Sequence, residues 1–154
     1  MQEVVTSGPT AAGQGRPVPS GLLYALRVLV VAQAAGLVAA ASFAGQSVQK
    51  AKDLLAAGQA LPADGMLAET HVMAGMVVHL IALLQIVAAV LVWRPGRGAG
   101  WPALASLGLF LIGMGQHFTW ELLGTHVPSG LALFGLTLAV LVWAWSPRAA
   151  VRRS

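Results

Sequence analysis

Residues 72–93 read VMAGMVVHLIALLQIVAAVLVW. This run of 22 residues holds no charged side chain, and only His79 and Gln85 are strongly polar. As an α-helix it would be about 33 Å long, enough for the roughly 30 Å of a bilayer's hydrocarbon core. A helix is the one open segment that satisfies its own backbone polar groups in hydrocarbon. Strand-like alternation is absent, which argues against an outer-membrane barrel. The stretch is therefore read as a transmembrane helix.

The same reading applies at three further places. Apolar runs cover about 22–44, 101–122 and 127–145, all rich in Ala, Leu, Val and Gly. The sequence predicts an all-α, polytopic membrane protein, an up-down bundle of four transmembrane helices. Composition agrees. Of 154 residues, 57% are apolar and only 9% are charged, against about 25% charged in soluble domains. A soluble domain of this size cannot hide so much apolar surface. With no cysteine in the chain, disulfides, thiolate metal sites and cysteine nucleophiles are excluded.

The cations set the orientation. Arg16, Arg27, Arg94, Arg97, Arg148, Arg152 and Arg153 share one expected side, whereas Lys50, Lys52, Asp53, Asp64, Glu69 and Glu121 lie on the other. The positive-inside rule then places both termini in the cytoplasm. Trp93, Trp101, Trp143 and Trp145 fall at the cytoplasmic ends, at headgroup level. The net charge of +4 is thus explained without nucleic acid. The compact loops point to the plasma membrane of a bacterium. Small residues at 39–42 resemble a signal-peptide cleavage site, but the apolar run is longer than such a segment requires.

Outside the spans, residues 1–20 are read as a disordered cytoplasmic tail and 147–154 as a basic tail near anionic headgroups. The outer loop, 46–70, is long. Val48, Ala51, Leu54 and Leu55 recur at helical spacing, which suggests a short amphipathic helix lying on the outer surface. Pro62-Ala63-Asp64-Gly65 would turn the chain into span two.

Spans two and four open alike, with His71-Val72-Met73-Ala74-Gly75 and His126-Val127-Pro128-Ser129-Gly130, and close alike, with Ala89-Val90-Leu91-Val92-Trp93 and Ala139-Val140-Leu141-Val142-Trp143. Pro128 is placed in the first turn of span four, where proline is tolerated. Gly45-Gln46 and Gly115-Gln116 mark the outer ends of spans one and three. The pattern suggests a duplicated two-helix hairpin.

His71 and His126 would lie at one depth on diagonal helices, the placement that two axial ligands of a haem iron require. Gly75 and Gly130, each four residues further on, would clear the helix face for a flat macrocycle; close helix packing is the other use of such glycines. His79 and His117 fall deeper, with Glu121 one turn beyond His117. These two are read as a second ligand pair, a proton path or the wall of a haem or quinone pocket, or as partners of Gln85, Gln116 or a backbone carbonyl. A zinc or two-metal site from His71, His117, Glu121 and His126 lacks a fixed spacing.

Four spans with His opening the second and fourth resemble one half of the heme A synthase family. Glu69-Thr70-His71 is similar to that family's Glu-x-x-His-Arg motif, with the Glu one position nearer and Val72 in place of Arg. The resemblance covers about 22–146. It implies b-type haem held by His71 and His126, with the chain serving electron transfer or haem handling. It does not extend to haem A synthesis, since the second half and the outer-loop cysteines are missing. The chain also resembles small four-span bacterial membrane proteins with a His-x-x-x-Gly opening.

Two other functions remain open on the residues alone. The chain could be a non-redox accessory or structural subunit, docking on a membrane-protein partner or a second copy through Gly108, Gly113 and Gly115 of span three. It could also belong to a transporter, although its intramembrane charges are few. No phosphate-binding loop or serine nucleophile elbow is present, which argues against hydrolases and nucleotide-binding enzymes.

Overall fold

The computed structural model describes residues 18–62, 66–94 and 99–150. The N-terminal tail to residue 17, most of the turn at 62–65, Arg97 and the end of the basic tail at 151–154 lie outside the described residues. Four α-helices carry the fold: α1 (Ser20–Ala56), α2 (Glu69–Trp93), α3 (Trp101–Gln116) and α4 (Leu123–Trp145). Single 3-10 turns occupy Met66–Ala68 and Pro147–Ala149. No strand occurs among the described residues. Three helices, α1, α2 and α4, are long and apolar enough to cross a membrane; α3 is apolar but shorter.

α1 differs most from expectation. Its 37 residues make one helix about 55 Å long. The amphipathic segment around Leu54 therefore continues the first span instead of lying apart on a surface. Nothing between Ser20 and Ala56 forces a break. Ser47 bonds back to the Phe43 carbonyl at 2.9 Å and also reaches the Leu67 carbonyl, while Gln49 donates to Asp53 at 2.8 Å. The helix stops where Gly58 takes a left-handed φ of 67°. The Gly58 N–H then bonds to the Leu55 carbonyl and the Gln59 N–H to that of Leu54, the glycine-terminated closure of a helix end.

α3 ends at Gln116, six residues before the expected boundary, and passes into tight turns over His117–Leu122. α4 starts at Leu123, earlier than expected, so Pro128 lies inside the helix and not in its first turn. Around this proline Ser129 supplies local hydrogen bonds, to the Thr125 carbonyl at 2.6 Å and the His126 carbonyl at 3.1 Å. Side-chain bonds of this kind offset the interruption that proline causes.

α1 packs on α2, α2 on α3, α3 on α4, and α4 back on α1, which leaves α2 and α4 on a diagonal. Close approaches fix the alternation. Gly36 lets α1 meet Val78 of α2, where an added Cβ would come within 2.8 Å of a Val78 methyl. At one end Arg27 donates to the Ala144 carbonyl at 2.8 Å, its guanidinium 5.4 Å over the Trp145 ring. At that same end Trp101 meets Trp143 edge to face, centroids 5.7 Å apart.

The two halves of this bundle are packed differently. The main apolar core gathers Leu23, Leu26 and Val30 with Ala88, Val92, Ala103, Val140 and Ala144, all in the half that carries Arg27. Val18 and Ala149 join it, so both described ends of the chain lie there. A polar layer follows, with Gln33, Gln85, Ser106 and Thr137 all buried. Gln85 donates to Ser106 at 3.0 Å, and Ser106 to the Pro102 carbonyl at 2.7 Å. Beyond this layer lie the histidines, with far fewer buried apolar side chains. The outside of the bundle is strongly apolar: Leu80, Leu84, Val87, Leu104, Leu111, Leu131 and Val142 are all exposed. Such an exterior suits lipid, not water.

Candidate functional site

The site is built on the first turns of α2 and α4. Both helices start in the loosely packed half, so His71 and His126 enter from opposite corners. Their ring centroids are 6.1 Å apart, with the planes at 63°. The two helices make no extended contact, and the rings bridge that diagonal.

His71 is half-buried and oriented from α1. Its Nδ1 lies 2.8 Å from the Ala40 carbonyl. A carbonyl only accepts, so Nδ1 carries the proton and Nε2 keeps its lone pair. This is how ligating histidines are commonly held, the distal nitrogen donating to a fixed oxygen. His126 is oriented through its main chain. Gln116, at the end of α3, donates to the His126 carbonyl at 3.3 Å and meets the Ser129 hydroxyl. The His126 Nδ1 is buried and has no partner. A buried polar atom without a partner is uncommon and calls for a ligand or a functional role.

The geometry can be tested against the group that the paired histidines suggest. Two imidazoles on opposite sides of one metal, with bonds of about 2.0–2.1 Å, have centroids about 6.4 Å apart. The observed 6.1 Å is within a few tenths of that separation. The ring planes are free to differ about the axis, so 63° is no obstacle. One turn deeper, a Cβ on Gly75 would meet nothing within 4 Å, and one on Gly130 only the Gln116 side-chain oxygen, at 4.0 Å. Both glycine positions thus have room for at least a Cβ. The residues present fit a planar group with two axial histidines.

His79 and His117 form a second pair. Their rings are 4.9 Å apart and tilted by 32°, with Phe110 edge-on to His79 at 6.3 Å. His79 Nδ1 lies 2.7 Å from the Gly75 carbonyl one turn back. Of the partners expected for His79, a backbone carbonyl is the one found, while Gln85 turns to Ser106 and Gln116 to α4. Its Nε2 is buried and unpartnered. His117 is the first residue after α3 and is exposed, as is Glu121 beyond it. Among the described residues no three of His, Cys, Asp and Glu gather closely enough to hold a metal ion, so the set His71, His117, Glu121 and His126 is not assembled.

The glycines of α3 are turned mainly inward. A Cβ on Gly113 would sit 2.8 Å from His79 Nε2, and one on Gly108 would touch Leu136 at 3.6 Å. Only Gly115 of the three meets nothing. Sequence reasoning missed the Ala40 carbonyl, Gln116, Ser129 and Gly113 as parts of the site. Gln116 stood out as part of a repeated Gly-Gln pair and as a possible partner of His79 or His117, not as a partner of α4. Its contact with α4 joins two helices and has no local signature. Compared with protein-family models, curated proteins and solved structures, the chain matches none of them.

Proposed function

We propose that this chain is a four-span protein of a bacterial plasma membrane that holds b-type haem between α2 and α4, for electron transfer or haem handling. His71 and His126 would hold its iron. The observation that carries the reading is their 6.1 Å approach across the diagonal of the bundle; the uncrowded glycines Gly75 and Gly130, one turn further on, agree with it. When bound, the group supplies one-electron exchange at an iron with two histidine ligands.

The protein's own residues then have separate tasks. The Ala40 carbonyl holds the His71 proton on Nδ1 and leaves the Nε2 lone pair for the iron. Gln116 ties the start of α4 to the end of α3 and so fixes the height of His126. The apolar core around Leu26, Val92 and Val140 fills the opposite half of the bundle. With both termini cytoplasmic, the histidine end faces outward. In this reading the last turn of α3 and the turns over 117–122 complete the third crossing.

The test is a visible spectrum of the purified full-length chain after expression with haem supplied. Six-coordinate b-type bands are expected from the natural sequence, and their loss is expected from His71→Ala/His126→Ala. Full haem retention in that double variant would remove the ligand assignment.

A further inference from the structure

We propose that the groove beside Arg27 and Trp145 binds one anionic phospholipid, its phosphate held by the Arg27 guanidinium and an acyl chain lying along α1. The proposal rests on the bundle's place in a membrane and is independent of haem.

The groove lies on the outside of the bundle, at the end away from the histidines. Its volume is about 430 Å³, and Tyr24, Arg27, Val28, Val31, Ala32 and Trp145 line it. Five of these six belong to α1, at spacings of three and four residues that keep them on one side of the helix. Tyr24, Val28, Val31 and Trp145 are exposed. Along α1 the polar side chains of Tyr24 and Arg27 come first, and Val28, Val31 and Ala32 follow deeper in the span. That order, polar at the rim and apolar further in, is the order of a phospholipid from headgroup to chain.

Arg27 is already fixed in position. Its Nε donates to the Ala144 carbonyl at 2.8 Å, and its guanidinium lies 5.4 Å over the Trp145 ring. Ala144 is in the last turn of α4, where carbonyls lack an intrahelical partner, so this bond caps the helix end. The two terminal amino groups keep their donors without a protein acceptor among the described residues. Guanidinium donors of this kind form a planar fork that suits phosphate oxygens.

Charge selects the class of lipid. A cation at the level of the hydrocarbon needs a counter-charge. Among the described residues the acidic side chains are Asp53, Glu69 and Glu121, all at the histidine end. Asp53 is 26 residues further along α1, about 39 Å away. A lipid phosphate supplies the missing charge. The ammonium of a zwitterionic headgroup would seek a carboxylate or an open aromatic face. No described carboxylate is near, and the guanidinium covers Trp145. Arg148, exposed in the turn after α4, adds positive field at the same end.

The test is native mass spectrometry of the full-length chain in detergent, mixed with equal amounts of phosphatidylglycerol and phosphatidylcholine of matched chains. One retained phosphatidylglycerol per chain is expected, with a preference of about fivefold or more. Arg27→Gln should bring that preference close to one. Val31→Trp starts from an exposed position, keeps Arg27 and fills the groove, so it should also lose the retained lipid. Arg148→Gln should keep most of the preference. Equal retention of both lipids by the natural chain would overturn the proposal, as would undiminished preference in Arg27→Gln or in Val31→Trp. A loss in Arg148→Gln as large as in Arg27→Gln would assign the effect to the general charge of that end, against a built groove. Displacement by millimolar glycerol phosphate would make the ligand a free phosphate and contradict a lipid.

Discussion

His71 and His126 face each other at 6.1 Å across a pair of helices that otherwise stand apart. In a bundle stabilised by neighbour packing, two polar rings meeting on the diagonal need a reason. The Ala40 carbonyl on one side and Gln116 on the other hold them there. The same half lacks the dense apolar core of its opposite. Light packing beside ordered polar groups is what the proposed haem site would need.

The open space at Gly75 gives the first prediction. In Gly75→Ala the new Cβ meets no atom within 4 Å, so thermal stability without haem should not fall. A macrocycle in that space would be overpacked by about 1–3 kcal/mol, roughly a tenfold loss of haem affinity or more. Haem titration and thermal melting of the same variant check both halves. Undiminished haem affinity would show that the group does not lie along this face.

The buried Gln85–Ser106 pair yields a stability prediction. Ser106→Ala strands the Gln85 amide in a buried position and should destabilise the bundle by about 0.5–2 kcal/mol. Gln85→Leu/Ser106→Ala removes both polar groups and should recover most of that loss. Thermal unfolding of the two single variants and the double variant, read as a cycle, tests the coupling. Additive losses would mean that the 3.0 Å bond contributes nothing.

Much of this architecture was legible from apolar runs, but helix ends were not. Trp93 closes α2 at the expected residue, because the sequence that follows at once, Arg94-Pro95-Gly96, does not favour a helix. α1 overran its expected end because apolarity reports where lipid lies, while helix termination depends on local backbone closure, here at Gly58. α3 stopped short for the converse reason. Its apolar run continues through Phe118, Trp120 and Leu122, yet the chain there turns. The His71–His126 approach was readable since both open helices that run in one direction. The partners that hold them come from α1 and α3, and cross-helix bonds to a carbonyl or a glutamine leave no periodic trace.

Topology can be tested on a clean background, because the chain has no cysteine. Gln59→Cys lies in the connection after α1, and Ala150→Cys follows the last turn. Both positions are exposed. A membrane-impermeant thiol reagent on intact cells should label Gln59→Cys at once and Ala150→Cys only after the membrane is opened. The reverse pattern would invert the bundle and place the histidine end in the cytoplasm.

The most direct measurement is the reduced-minus-oxidised visible spectrum of the full chain, purified in mild detergent from cells supplied with haem. The account requires sharp six-coordinate b-type bands, present in the natural protein and absent from His71→Ala/His126→Ala. A colourless natural protein, or a double variant with an unchanged spectrum, would contradict it.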